Sequence, residues 1–133
     1  MNIINTLKKL NAKALNNGDV PVSCIILIND KIISTGYNMR VKKNNPLLHA
    51  EVVAIQKAAK KLKTWNLSDC DLICTMKPCN MCLEIIKSAK IKKVYYILDN
   101  KKDINNNIML TSIYCTESNY FLKEIQAFFS DKR

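Results

Sequence analysis

No apolar run in these 133 residues approaches the roughly 18–20 residues that a membrane span requires, so a membrane protein is not expected. There is no Gly/Ser-rich linker and no internal repeat, and the length suits one domain over residues 1–133. The opening, MNIINTLKKLNAKALNNGD, lacks the apolar core of a signal peptide and reads as a first helix rather than a targeting segment. The six cysteines, at 24, 70, 74, 79, 82 and 115, are therefore expected as cytoplasmic thiols, some holding metal, rather than as a disulfide framework. Arginine is scarce, with only Arg40 and Arg133 among 21 basic residues. The net charge of +10 favours a polyanionic partner such as nucleic acid. A lysine-, asparagine- and isoleucine-rich composition also arises from AT-rich coding, and arginine is the better reader of phosphates and base edges. Histidine occurs once, at His49.

Apolar residues at Ile3, Ile4, Leu7, Leu10 and Ala14 fall at helical spacing, and Gly18 suits the helix C-terminal cap. PVSCIILI reads as a buried strand, Asn29-Asp30 as a turn, and KIISTGY as the returning strand of a hairpin. Residues 38–48 read as a polar loop broken by Pro46. A second helix carries Val52, Val53, Ile55, Ala58, Ala59 and Leu62, and CDLICT reads as strand three. Met81, Cys82, Ile85, Ile86 and Ala89 mark helix three, KKVYYIL strand four, and TSIYC a fifth strand. Residues 100–107, NKKDINNN, read as a solvated loop, and Phe121 to Phe129 as a closing helix. Strands alternating with helices imply parallel crossover units after an antiparallel hairpin, hence a mixed sheet with helices on both faces.

Cys79 and Cys82 form a C-x-x-C pair at the opening of a helix, after Pro78, which suits a first helical turn. The positive end of a helix favours thiolate, the form that binds zinc. His49 likewise opens a helix after a loop. His49, Cys79 and Cys82 supply three protein ligands, and three ligands plus water is the pattern of a catalytic zinc, whereas structural zinc closes with four. Glu51, two residues past His49, can face the water without coordinating the ion. A core histidine, a redox pair, or a structural zinc completed by Cys24, Cys70, Cys74 or Cys115 are the competing readings. H-A-E followed by P-C-x-x-C is nevertheless the signature of zinc deaminases.

On these motifs the chain resembles the cytidine and deoxycytidylate deaminase superfamily, and most of all its tRNA-specific adenosine deaminases. DVPVSCIIL is similar to the family's first strand, NPLLHAE to its histidine–glutamate stretch, and LICTMKPCNMC to its strand and cysteine pair. KKVYYILDNK and FFSDKR resemble its fourth strand and the end of its closing helix. The resemblance implies an α/β fold, a three-layer α/β/α sandwich on a five-stranded mixed sheet, and a homodimer. It implies one zinc per subunit and substrate-binding roles for Asn38, Ala50 and Pro78. The chain departs from the family at Lys77, where an acid is usual, at Ser23-Cys24 in place of Gly-Ala, at the bulky Leu47 and Leu48, and in a short glycine-free segment after Asp99.

The reaction this implies is hydrolytic deamination of a nucleobase, most of all of the wobble adenosine in a tRNA anticodon loop. Glu51 moves a proton from water to the ring nitrogen and then to the departing amine. Arg40, Lys42 and Lys43 are candidate phosphate contacts. Tyr120, Phe121, Phe128 and Phe129 are expected in core or interface before base stacking. A deaminase of free cytosine, cytidine or guanine, and a non-catalytic zinc or RNA-binding module, are the alternatives.

Overall fold

The computed structural model describes residues 2–100, 109–113 and 115–131. Helix α1 (Ile3–Asn16) starts where the Asn2 side chain accepts the Asn5 N–H. It ends in a Schellman motif: the Asp19 N–H donates to the Ala14 carbonyl at 2.9 Å and the Gly18 N–H to that of Leu15 at 3.0 Å. That motif needs a left-handed residue, and Gly18 supplies it with φ of +78°. Strands β1 (Ser23–Ile28) and β2 (Lys31–Tyr37) form the expected hairpin. Asn29 and Asp30 both take positive φ, 49° and 66°, as the turn between twisted strands requires.

The chain continues through α2 (Arg40–Lys43), α3 (Ala50–Leu62), β3 (Asp71–Met76), α4 (Asn80–Ser88), β4 (Lys93–Leu98), β5 (Met109–Ser112) and α5 (Ser118–Asp131). The sheet order is β2-β1-β3-β4-β5, with β1 antiparallel to both β2 and β3, and β3, β4 and β5 mutually parallel. The expected five-stranded mixed sheet in a three-layer α/β/α sandwich is therefore what the sequence forms.

Strand periodicity explains the layers. Cys24 and Ile26 of β1 point with Leu72 and Cys74 of β3 into a core closed by Ala54, Ala58, Leu83 and Ile86 of α3 and α4. Ile25, Leu27 and Ile97 point the other way, against Leu7 and Leu10 of α1 and Phe121 of α5. An apolar run such as SCIILI is what a strand buried on both faces needs. Asn11 of α1 donates to Glu124 of α5 at 2.9 Å, joining the two helices of that layer.

Two expectations shift. Residues 38–48 are not all loop: Arg40–Lys43 make one helical turn. The buried Asp19 carboxylate accepts the Val41 and Lys42 N–H groups at 2.9 and 3.4 Å, and Asn44 ends the turn in the left-handed region. The fifth strand begins at Met109, two residues before the stretch expected, because pairing with Lys93–Tyr96 sets its register. Residues 101–107 of the expected solvated loop lie outside the described residues, as does Tyr114 of TSIYC.

Candidate metal centre and active site

Two helix N-termini converge at the C-terminal edge of the sheet. α3 follows α2 and a short loop, α4 follows β3, and their N-caps are His49 and Cys79. Gly36 sets how closely α3 approaches. A Cβ there would run into the Ala50 carbonyl oxygen and sit 2.7 Å from the Ala54 amide nitrogen. The absence of a side chain lets the first two turns of α3 lie directly on β2. Across the sheet, Pro78 precedes the N-cap rather than occupying the first helical position. With no N–H to donate to the ladder, it cannot extend β3, which ends at Met76 before α4 begins at Asn80.

This packing brings His49, Cys79 and Cys82 together, with ligand atoms all within 4.8 Å of one another. The His49 Nδ1 lies 3.7 Å from the Cys79 Sγ and 3.5 Å from the Cys82 Sγ. Tetrahedral zinc with ~2.3 Å bonds to sulfur and ~2.0–2.1 Å bonds to nitrogen spaces N and S by about 3.6 Å, so these donors fit such an ion. Among the described residues no fourth His, Cys, Asp or Glu joins the group. Cys24 and Cys74 face each other across β1 and β3 with no exposure, and Cys70 is buried apart, so all three serve as small apolar side chains.

The electrostatics suit a cation. A hydrogen bond from Cys82, and then one from His49, pushes Cys79 down to about 3. The same contact pushes Cys82 up, reinforced by burial. The two sulfurs thus share one proton, and a divalent cation would take its place. The Cys79 hydrogen bond pushes His49 above its ordinary value. Glu51, in the first turn of α3, is 4% exposed, and burial pushes its carboxyl up to about 7. It is close enough to Cys82 for that thiol to bond it.

Beside this cluster opens a cavity of about 700 Å³, lined by His49, Glu51 and Cys79 together with Asn38, Arg40, Lys77 and Phe128. The named candidates separate here. Asn38 borders the cavity, but its amide is engaged with backbone: Oδ1 accepts the Ala50 N–H at 2.8 Å and Nδ2 donates to the Val20 carbonyl at 3.1 Å. Ala50 and Pro78 are buried and do not line the cavity. Arg40 lines it; Lys42 and Lys43 are exposed farther along α2. Phe128, whose helical spacing points to core or interface first, lines the cavity from the last turns of α5. Asp19, Gly36 and Thr75 were missed. Thr75 is buried and its hydroxyl accepts the Ser23 N–H at 3.1 Å, tying β1 to the end of β3.

The chain matches the family model of the cytidine and deoxycytidylate deaminase zinc-binding region over residues 2–98. It is 40% identical over 91 residues to a tRNA-specific adenosine deaminase of Rickettsia bellii, covering 67% of this chain and 63% of that one. It is 34% identical over 101 residues to one from Buchnera aphidicola subsp. Schizaphis graminum, covering 76% and 66%. The chain thus spans just under two thirds of the length of these curated relatives. Among solved structures it resembles guanine deaminase from Bacillus subtilis at 30% identity and a TM-score of 0.66, over 98% of this chain and 95% of that one. A structure from work on tRNA:A34 deaminases superposes with a TM-score of 0.71 at 21% identity, over 82% and 98%, which speaks to fold alone. On the match over residues 2–98, with the histidine–cysteine–cysteine cluster inside it, the chain belongs to the cytidine and deoxycytidylate deaminase family.

Proposed function

We propose that this chain is a zinc-dependent hydrolase that deaminates the wobble adenosine of a tRNA anticodon loop to inosine. The observation that carries the reading is the meeting of three ligand atoms beside a buried glutamate at the edge of an open cavity. His49, Cys79 and Cys82 would hold one zinc per subunit, which supplies the Lewis acidity that makes water a nucleophile at neutral pH. Glu51 takes a proton from that water and delivers it to the ring nitrogen beside the carbon under attack. Once the water oxygen has bonded to that carbon, Glu51 takes the second proton from the new hydroxyl and gives it to the amino group, which leaves as ammonia as the carbonyl forms. Burial raises the affinity of the Glu51 carboxyl for a proton, which suits a group that must take up a proton and hand it on. Burial of Glu51 also keeps bulk water from short-circuiting the transfer.

The anticodon loop presents a splayed-out base at modest unstacking cost, a few kcal/mol at most. Phe128 offers a face for stacking, and Arg40, Lys42 and Lys43 offer charge to flanking phosphates. The relatives named tRNA-specific adenosine deaminase support the tRNA partner. A cytoplasmic homodimer completes the reading, with exposed Val41 and Leu47 near the cavity available as apolar contacts. No helix among the described residues is long and apolar enough to cross a membrane.

The likeness to a guanine deaminase over nearly the whole chain favours a second reading, deamination of a free base. Zinc-loaded protein incubated with an adenosine-bearing anticodon stem-loop, and separately with guanine, cytosine and cytidine, separates the two. Inosine in the loop is the expected product. Ammonia from guanine with an unchanged loop would assign the second reading, and no ammonia from any of them would leave a binding module. Glu51→Gln is expected to keep the zinc and to lose about 10²–10⁴-fold in turnover.

A further inference from the structure

Lys77 stands where the family resemblance leads one to expect an acid, and its charge is not used by the chemistry derived above. We propose that Lys77 is a phosphate-reading residue of the cavity, taking a phosphate ester next to the reacting nucleoside, whether on an RNA strand or on a nucleoside monophosphate. This deepens the function proposed above, because it assumes that the cavity receives a nucleic-acid base.

The charges around the cavity support it. Among the described residues, its ionisable lining residues other than Cys79 are Asp19, Arg40, His49, Glu51 and Lys77. The Asp19 carboxylate is committed to the N–H groups of Val41 and Lys42. His49 and Glu51 belong to the metal and proton-transfer floor. Among the described residues the lining also carries two cations, Arg40 on α2 and Lys77 between β3 and α4. A base that reacts beside His49 and Glu51 lies on that floor, so the sugar–phosphate portion of its nucleotide is directed toward the rest of the lining, Lys77 included.

Lys77 is also fixed in place. Its N–H donates to the Leu98 carbonyl at 2.8 Å, and its own carbonyl accepts the Asn100 Nδ2 at 3.2 Å. Its side chain is 12% exposed, with the ammonium 5.7 Å from the centre of the Tyr96 ring. The Asp99 carboxylate lies 3.7 Å away and is itself 48% exposed, a longer and more screened contact than the ~2.7–2.9 Å of a charge-assisted hydrogen bond. An ammonium carries three rotatable donors and can keep Asp99 while turning toward a phosphate oxygen. A phosphate oxygen brings a negative charge that the carbonyl and ring-nitrogen acceptors of a neutral free base lack, so Lys77 biases the cavity toward phosphorylated substrates.

The test reads binding, so it stands apart from whether inosine is formed. A labelled anticodon stem-loop already carrying inosine at the wobble position is titrated with zinc-loaded protein across a sodium chloride series. Lys77→Met is expected to weaken binding about tenfold at low salt and to reduce the slope of log affinity against log salt by about one, while Lys77→Arg retains most of the affinity. Competition separates the sources: a nucleoside 5′-monophosphate should displace the loop better than the nucleoside does, and Lys77→Met should erase that margin. An unchanged slope and margin in Lys77→Met would overturn the proposal. So would loss of zinc together with affinity, since Lys77 would then be a positioning residue for the Cys79 loop. If the wild-type protein binds the loop with the expected Lys77 dependence yet forms no inosine, the wobble-adenosine reading fails and the phosphate site stands.

Discussion

Replacing Asn38 with alanine is expected to destabilise the zinc-loaded protein by about 3 kcal/mol, and the figure can be worked from two bonds. The Ala50 N–H that Asn38 receives at 2.8 Å is the first donor of α3, and Ala50 has no solvent exposure. Leaving that donor buried without a partner costs about 2 kcal/mol, within the ~1–3 expected for an orphaned polar group. The Val20 carbonyl, bonded at 3.1 Å, borders the cavity, so water can replace the amide there, and its loss costs nearer 1 kcal/mol. For a chain of this length about 3 kcal/mol corresponds to roughly 10 °C in Tm. Urea unfolding of wild type, Asn38→Ala and Asn38→Asp checks it. The aspartate keeps the acceptor for Ala50 but turns a second oxygen on the Val20 carbonyl, so it should fall between the other two. A variant within about 0.5 kcal/mol of wild type, the scatter of an ordinary surface change, would refute the claim that Asn38 positions α3 and His49. The residue would then be a substrate contact alone.

Gly36→Ala should be destabilising by about 2–3 kcal/mol, since the new methyl meets backbone of α3 rather than a side chain that can swing away, and zinc affinity should fall with it. Equilibrium unfolding with a zinc titration reads both, and an unchanged zinc affinity would separate α3 packing from the site. Cys82→Ser should lose zinc at near-neutral pH, and chelation of the wild-type protein should lower its Tm reversibly on zinc return; calorimetry before and after chelator decides this. Metal-free protein should show a pH signature from Glu51. Its folded value of about 7 lies above the ordinary 4.5, so the folded state binds the extra proton in that window. The contribution of Glu51 is fully present below about pH 4.5 and lost as pH rises through 7. Wild type should therefore lose about 3 kcal/mol relative to Glu51→Gln between pH 4.5 and 8, and parallel stability curves would refute the burial argument.

The succession of elements and the crossover units were legible because the apolar runs are long and differ in period, so SCIILI and the helix from Val52 to Leu62 admit few other readings. The register of β5 was not, because MLTS and TSIYC are equally plausible short strands, and only pairing with β4 chooses between them. His49, Cys79 and Cys82 stand out because metal-ligand spacing is a local pattern in each segment and ligand chemistry is scarce in the chain. What supports them is long-range and leaves no such mark. Asp19 caps α2 from 22 residues away, Asn38 caps α3 across a loop, and Gly36 matters only because α3 happens to lie on it. Phe128 shows the same limit from the other side. Its spacing fits a buried helix face, and nothing local tells that the last turns of α5 meet the cavity. Residues that perform chemistry are constrained by what they bind, and their types alone narrow the choice. Residues that aim them are constrained by where the backbone passes, so a polar, acidic or absent side chain serves equally and the sequence carries no single sign of it. Lys77 lies between the two classes: its charge is visible in the sequence, but only its place in the cavity lining, held by Leu98 and Asn100, suggests what that charge would meet.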